Sequence, residues 1–174
     1  MDFSLNEEQT MLKAMVRDFA EKELEPIAAR IDEDASFPVE HFKKMVELGL
    51  MGVNFPEEYG GSGGGKMEEV IVDEELSRVC ASIATALFAS SGLAGVPLYQ
   101  FGTEEQRQRF VVSVVKGEKL ACFALTEAGA GSDVAALETT AARQNDGYTL
   151  NGSKVFITNG AEADIVLVFA TIDK

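Results

Sequence analysis

The chain has 174 residues, 46% hydrophobic and 25% charged, with two cysteines and a formal net charge of −14. A core of this size buries roughly 70% of the unfolded surface, so no disulfide or structural metal is required, and the acidic balance argues against nucleic acid or an anionic membrane as partner. No apolar run reads as long enough to span a bilayer, the acidic, polar opening MDFSLNEEQ is unlike a signal or transit peptide, and a cytoplasmic location is expected.

Asn6, with Gln9 three residues later, predicts a capping box opening a first helix. Leu12, Met15 and Phe19 follow at helical spacing and continue toward Leu24, Ile27 and Ile31, with a kink or break expected at Pro26. A second helix starts at Phe37 and Pro38, carries Phe42, Met45 and Leu48, and stops at Gly49. Residues 54–65 (NFPEEYGGSGGG) read as a loop, and the helix after them holds Val70, Ile71 and Val79 among acids. Ala81–Ala89 is apolar on nearly all sides, the mark of a helix buried all round. Pro97 and Gly102 bracket a short piece. Thr103 and Gln106 form a second capping box, after which Phe110, Val111 and Val114 face inward until Gly117.

The period changes at Leu120. Leu120–Leu125 reads as a short strand, Asn145-Asp146-Gly147 as a tight hairpin turn, Asn151-Gly152 as another turn and Ile165–Thr171 as a buried apolar strand. The expected fold class is therefore multidomain α and β: an all-α helical bundle over residues 1–118, then an incomplete antiparallel β domain over residues 119–174. An unpaired edge at Ile165–Thr171 would be an aggregation liability. Cys80 and Cys122 fit no metal or redox spacing and read as buried thiols.

Three stretches bear on chemistry. Residues 60–66 (GGSGGGK) lack the preceding strand and the Gly-Lys-Ser/Thr of a phosphate loop, since Met67 follows Lys66; a mobile surface connection is expected. His41, the single histidine, has no evident catalytic or metal partner and reads as a surface or packing residue. In residues 123–133 (FALTEAGAGSD), Gly129 and Gly131 allow close backbone approach. Successive amides there can nest an anion, and the Thr126 and Ser132 hydroxyls can donate or accept. A Gly-rich turn between strands remains the plain alternative. In residues 154–160 (KVFITNG), Phe156 can lie against a ring and Thr158 can reach its edge, although an aromatic in a strand is more commonly core.

Taken together these residues resemble the acyl-CoA dehydrogenase family, most closely the short-chain, butyryl-CoA type. The likeness covers the opening MDFSLNEEQ, residues 59–63 (YGGSG), residues 101–106 (FGTEEQ), and the stretches FALTEAGAGSD and LNGSKVFITNG, which look like the family's flavin signatures. The resemblance implies FAD as cofactor and an acyl-CoA thioester as substrate. The implied reaction removes an α proton and passes a β hydride to flavin N5, giving a trans-2-enoyl-CoA. An electron-transfer flavoprotein is implied as electron acceptor, and a homo-oligomer as the full-length state.

Carried onto this chain, the resemblance places Phe123, Leu125 and Thr126 along the flavin ring and Gly131 and Ser132 at the cofactor phosphates. Ser132 also reaches toward coenzyme A. Phe156, Ile157 and Thr158 flank the ring, with the Thr158 hydroxyl near N5, and Leu93 is a candidate for the acyl pocket. Many members carry Trp at Phe156 and Pro at Ala128, so ring contact shrinks and the turn is less pre-set. The family's chains are more than twice this long, and nothing here resembles the C-terminal helical domain that usually supplies the glutamate base. The expectation is an N-terminal portion with no catalytic residue of its own. An acyl-CoA oxidase or flavin monooxygenase of the same fold, or a non-catalytic helical interaction module, are the alternatives.

Overall fold

Asn6 and Gln9 close the capping box that the sequence predicts: the Asn6 side chain accepts from the Gln9 amide at 2.8 Å, and Gln9 Oε1 accepts from the Asn6 amide at 3.1 Å. The computed structural model describes residues 4–172, so Met1, Asp2 and Phe3 of the family-like opening lie outside the described residues. Helix α1 (Glu7–Phe19) buries Val16 and Phe19, while Met15, expected inside, is exposed. The break expected near Pro26 takes the form of one widened π turn, Ala20–Leu24, before α2 (Glu25–Glu33). Proline has no amide to give the carbonyl four residues back, and the wider turn absorbs that loss. Helix α3 (Val39–Glu47) starts one residue after Pro38 and buries Met45, whereas Leu48 stays exposed.

Residues 60–65 form the surface connection expected, with Gly60, Ser62, Gly63 and Gly65 exposed, but its backbone is tied to the preceding turn. Phe55 and Tyr59 are buried, and the backbone that follows folds onto them. The amides of Gly61, Ser62 and Gly63 bond to the carbonyls of Pro56, Gly52 and Phe55 at 3.1, 3.0 and 2.9 Å. A Cβ on Gly61 would lie 2.1 Å from the Phe55 carbonyl oxygen, so these glycines serve close backbone packing rather than mobility.

Helix α4 (Lys66–Ser77) packs along α1. Their shared electrostatic centre is Glu75, 1% exposed, whose two oxygens accept from Arg17 Nε and Nη2 at 2.8 and 2.9 Å. The Arg17 guanidinium holds the Glu75 carboxyl below the usual glutamate range, with Lys13 assisting.

Helices α5 (Ala81–Phe88) and α6 (Val96–Phe101) are joined without a break by a π segment, Ala89–Gly95. Pro97 therefore sits inside a continuing helix rather than bounding a separate piece, because it falls in the first turn of α6, where its missing amide costs little. The combined Ala81–Phe101 helix has 21 residues, and an 18-residue window within it has a mean hydropathy of 1.5, long and apolar enough by composition to cross a bilayer, which corrects the reading that no such run exists. Half of that window is buried inside the molecule, with Ile83, Ala84, Leu87 and Ala94 in the main core, and burial as a core helix accounts for that composition. Helices α7 (Glu104–Gln106) and α8 (Val112–Val115) flank a third π segment, Arg107–Val111, and Gly117 ends the run at φ +64°. Val111 and Val114 are buried and Phe110 is half-buried.

The β region departs from expectation in its pairing. Strands β2 (Thr140–Gln144) and β3 (Gly147–Asn151) form the antiparallel hairpin predicted around Asn145 and Asp146. Strand β1 (Ala121–Ala124), however, pairs in parallel with β4 (Ile165–Val168), Ala121 opposite Ile165 and Ala124 opposite Val168. The intervening chain returns to start β4 beside the beginning of β1, where the Asp164 and Ile165 amides both bond to the Leu120 carbonyl at 2.8 and 3.1 Å. Ile165–Thr171 is thus paired on one side, and β4 is shorter than the apolar run suggests. Cys80 and Cys122 are both buried and free, as expected.

On α4, Asp73 has a buried Oδ1 with no hydrogen-bond partner among the described residues. Burial, then the Glu69 charge, pushes its carboxyl up from 3.8 to about 6. Between these values the folded chain binds more protons than the unfolded one, so this group's contribution to stability falls as pH rises from about 4 to about 6. Replacing Asp73 by Asn should flatten that slope and raise stability at pH 7 by about 1–2 kcal/mol, measured by urea unfolding of both proteins across this range.

Candidate functional site

Strand β1 lies against the Ala89–Gly95 segment, where small residues leave room for it. Its first amide, on Ala121, donates to the buried Ser90 hydroxyl at 2.9 Å. Ala121, Cys122 and Ala124 are buried, and the half-buried Phe123 ring tilts against Phe169 at 4.9 Å. The chain leaves the sheet at Leu125, and the two stretches that the sequence singled out meet there. The Val155 amide donates to the Thr126 carbonyl at 3.0 Å. Lys154 Nζ donates to the Leu125 carbonyl at 2.8 Å and to Glu127 Oε1 at 2.7 Å.

The strand expected around Phe156 is absent, and so is its core role. Residues 153–157 have no regular secondary structure. Phe156 takes the left-handed conformation, φ +57°, and is 93% exposed. A bulky residue rarely adopts that backbone, and holding a large apolar ring in water there costs free energy with no return in packing. Asn159, also left-handed at φ +65°, anchors the far end, its side-chain amide donating to the Ala86 carbonyl at 2.8 Å and the Ala121 carbonyl at 3.3 Å. Ile157 is half-buried between these anchors and Thr158 is exposed.

The glycine-rich turn opens from Glu127. The Glu127 and Ala130 amides bond to each other's carbonyls at 3.0 and 3.1 Å. Beyond them, a Cβ built on Gly129 or Gly131 would meet nothing within 4 Å, and Ser132 is exposed. The Glu127 carboxylate, 8% exposed, also accepts from the Glu138 amide at 2.6 Å and the Thr139 amide at 2.9 Å. The Lys154 ammonium first, then Thr139 and the Glu138 amide, hold it far below the usual glutamate range.

Of the residues singled out from the sequence, Leu125 and Thr126 are thus joined to Lys154 and Val155, next to Phe156, and Gly131 and Ser132 lie on the open turn leading from them. Leu93, partly exposed, lies on the helical segment behind β1. Glu127, Lys154 and Asn159 were not singled out, yet they hold the arrangement together. A charge of each sign embedded in the two apolar motifs was the one available signal. The result is a ledge of exposed aromatic ring, hydroxyls and open glycine backbone, suited to a flat aromatic ligand carrying phosphate.

Residues 6–118 match the family model described as acyl-CoA dehydrogenase, N-terminal domain, and residues 122–174 match acyl-CoA dehydrogenase, middle domain. The chain belongs to the acyl-CoA dehydrogenase family. It is 47% identical over its whole length to the short-chain specific acyl-CoA dehydrogenase of Clostridium acetobutylicum, of which it covers 46%. It is also 47% identical, over 98% of its length, to the acryloyl-CoA reductase (NADH) of Anaerotignum propionicum, of which it covers 43%. Among solved structures, butyryl-CoA dehydrogenase from Megasphaera elsdenii superposes with a TM-score of 0.94 at 42% identity, over all of this chain and 46% of that one. The chain spans about half the length of the relatives it matches.

In this family member the Ser90 hydroxyl is the acceptor for the buried Ala121 amide. Replacing Ser90 by Ala should leave that amide unsatisfied and cost about 1–3 kcal/mol of unfolding free energy, measured by chemical denaturation; a loss below about 0.5 kcal/mol would show that the amide finds another acceptor.

Proposed function

We propose that this chain forms the flavin-facing part of a short-chain acyl-CoA dehydrogenase, which oxidises an acyl-CoA thioester to its trans-2-enoyl-CoA and passes electrons to an electron-transfer flavoprotein. The observation that carries the proposal is Phe156, held left-handed and 93% exposed beside Thr158, a costly arrangement that a bound aromatic ring would repay. FAD fits the residues present: open glycine backbone for its phosphates and hydroxyls for the hydrogen-bonding edge of its ring. When bound, FAD supplies the hydride acceptor.

This chain's own residues bind and orient. Phe156 covers one part of the ring and shields it from water. Phe123, Leu125 and Ile157 supply apolar contact, and Thr126 and Thr158 offer hydroxyls to the ring edge. Gly131 and Ser132 receive phosphate, with Ser132 also within the reach of the coenzyme A portion of a substrate. Leu93 contributes to the acyl pocket. These residues have binding roles, and none of them removes the α proton. A chain from the structure of the electron transferring flavoprotein of Acidaminococcus fermentans, at 44% identity and a TM-score of 0.95, supports the choice of electron acceptor.

A second reading is favoured by the equal identity to the acryloyl-CoA reductase: the same site run in the reducing direction with NADH as electron source. In the full-length dehydrogenase of which this chain would be the flavin-facing part, anaerobic addition of butyryl-CoA should bleach the flavin absorbance if the first reading holds. A protein that ignores butyryl-CoA but oxidises NADH on addition of acryloyl-CoA would support the second, and a protein unable to take up FAD would overturn both. Replacing Thr158 by Val should weaken FAD binding by about 1 kcal/mol, the net value of one hydrogen bond, with unfolding little changed. Isothermal titration of the flavin-free protein checks it.

A further inference from the structure

The ligand-facing parts of the ledge are held by few contacts of their own. The turn at residues 128–137 has an open exterior at Gly129 and Gly131, and residues 153–157 lack regular secondary structure. Both converge on one charged pair. Lys154 and Glu127 have side chains only 10% and 7% exposed and meet at 2.7 Å. From that pair, bonds run to the Leu125 carbonyl and to the Glu138 and Thr139 amides. Glu127 thus grips both ends of the glycine-rich turn, through its own backbone at one end and its carboxylate at the other. Lys154 ties that neck to the Phe156 stretch.

We propose that Lys154 is a positioning residue for the flavin ledge: through Glu127 and the Leu125 carbonyl it sets the spacing between Thr126, Thr158 and the mouth of the glycine-rich turn. The proposal rests on the flavin reading above. A buried ion pair suits this task better than apolar packing, because an unpaired charge left here is penalised and only one arrangement satisfies every partner. The ammonium has three donors on one point charge. Two of them are directed to groups on the same short segment, the Leu125 carbonyl and the Glu127 carboxylate. Arginine could reach both acceptors with its fork, whereas methionine fills the volume and reaches neither.

The test uses the full chain with Lys154→Met, Lys154→Arg and Glu127→Gln, each first shown by far-ultraviolet circular dichroism to keep its helices. In the flavin-free protein, Lys154→Met should speed hydrogen exchange at the Glu138, Thr139 and Val155 amides by about tenfold or more, while the β2–β3 hairpin is unaffected. FAD binding should weaken about tenfold, and Lys154→Arg should recover most of it. In the double variant with Thr158→Val, the effect of the second change should largely vanish, because a hydroxyl out of position has no bond to lose. Unchanged exchange at the three amides, or fully additive losses in the double variant, would overturn the proposal. If Lys154→Met fails to keep its helices, Glu127→Gln carries the same exchange and binding comparison. A wild-type protein that binds no FAD would sink the flavin reading, while the exchange result would still decide whether Lys154 ties the two stretches.

Discussion

The structure depends on the Ala81–Phe101 helix being tolerated as a common wall. One side of it packs with α4 and the core residues Val16, Leu24, Met45 and Leu76. Another side receives β1, and the β region hangs from that contact. Small side chains at Ala86, Ala89, Ser90 and Ser91 let backbone approach backbone, so polar groups reach across: Ser90 takes the Ala121 amide, and the Ala86 carbonyl takes Asn159. Larger residues there would hold β1 too far away for either bond. The helix is thus apolar enough for a core yet supplies the polar anchors that aim the ledge.

Electrostatics at the ledge work against the molecule's overall charge. A net charge of −14 disfavours an anionic ligand at long range, but screening confines that penalty to within about 10 Å at 0.1 M salt. Nearby, the Glu127 carboxylate is already engaged by Lys154 and two amides. What the open turn offers is exposed backbone at Gly129 and Gly131 and the exposed Ser132 hydroxyl. Local donors at close range outweigh a diffuse, screened field, so the overall acidity of the chain does not by itself exclude an anion at such a turn.

Much of the helical region was legible because its determinants are local. Asn6 with Gln9 and Thr103 with Gln106 cap helices by contacts three residues apart, Gly49 and Gly117 end them with positive φ, and Asn145 turns the hairpin. The misreadings lie where distant residues decide. Met15 and Leu48 fit the helical period but face solvent. The glycine-rich stretch after Tyr59 lies at the surface as expected, but its backbone is held against Gly52 and Phe55 by contacts that no local pattern reveals. The parallel pairing of β1 with β4 depends on a chain reversal involving Asp164 and Leu120, 44 residues apart.

The sequence by itself determined the helical order, the family and the two motif stretches at residues 123–133 and 154–160, because caps, breakers and motif wording are short-range properties of the chain. Only the tertiary structure decided how those stretches are used. Phe156 stands in solvent in a left-handed turn rather than in a strand, and Glu127 and Lys154, 27 residues apart, form the tie between the two stretches. The reason is physical: an exposed ring and a buried charge are both unfavourable locally, and only long-range bonds at Leu125, Glu138, Thr139, Ala86 and Ala121 make holding them worthwhile.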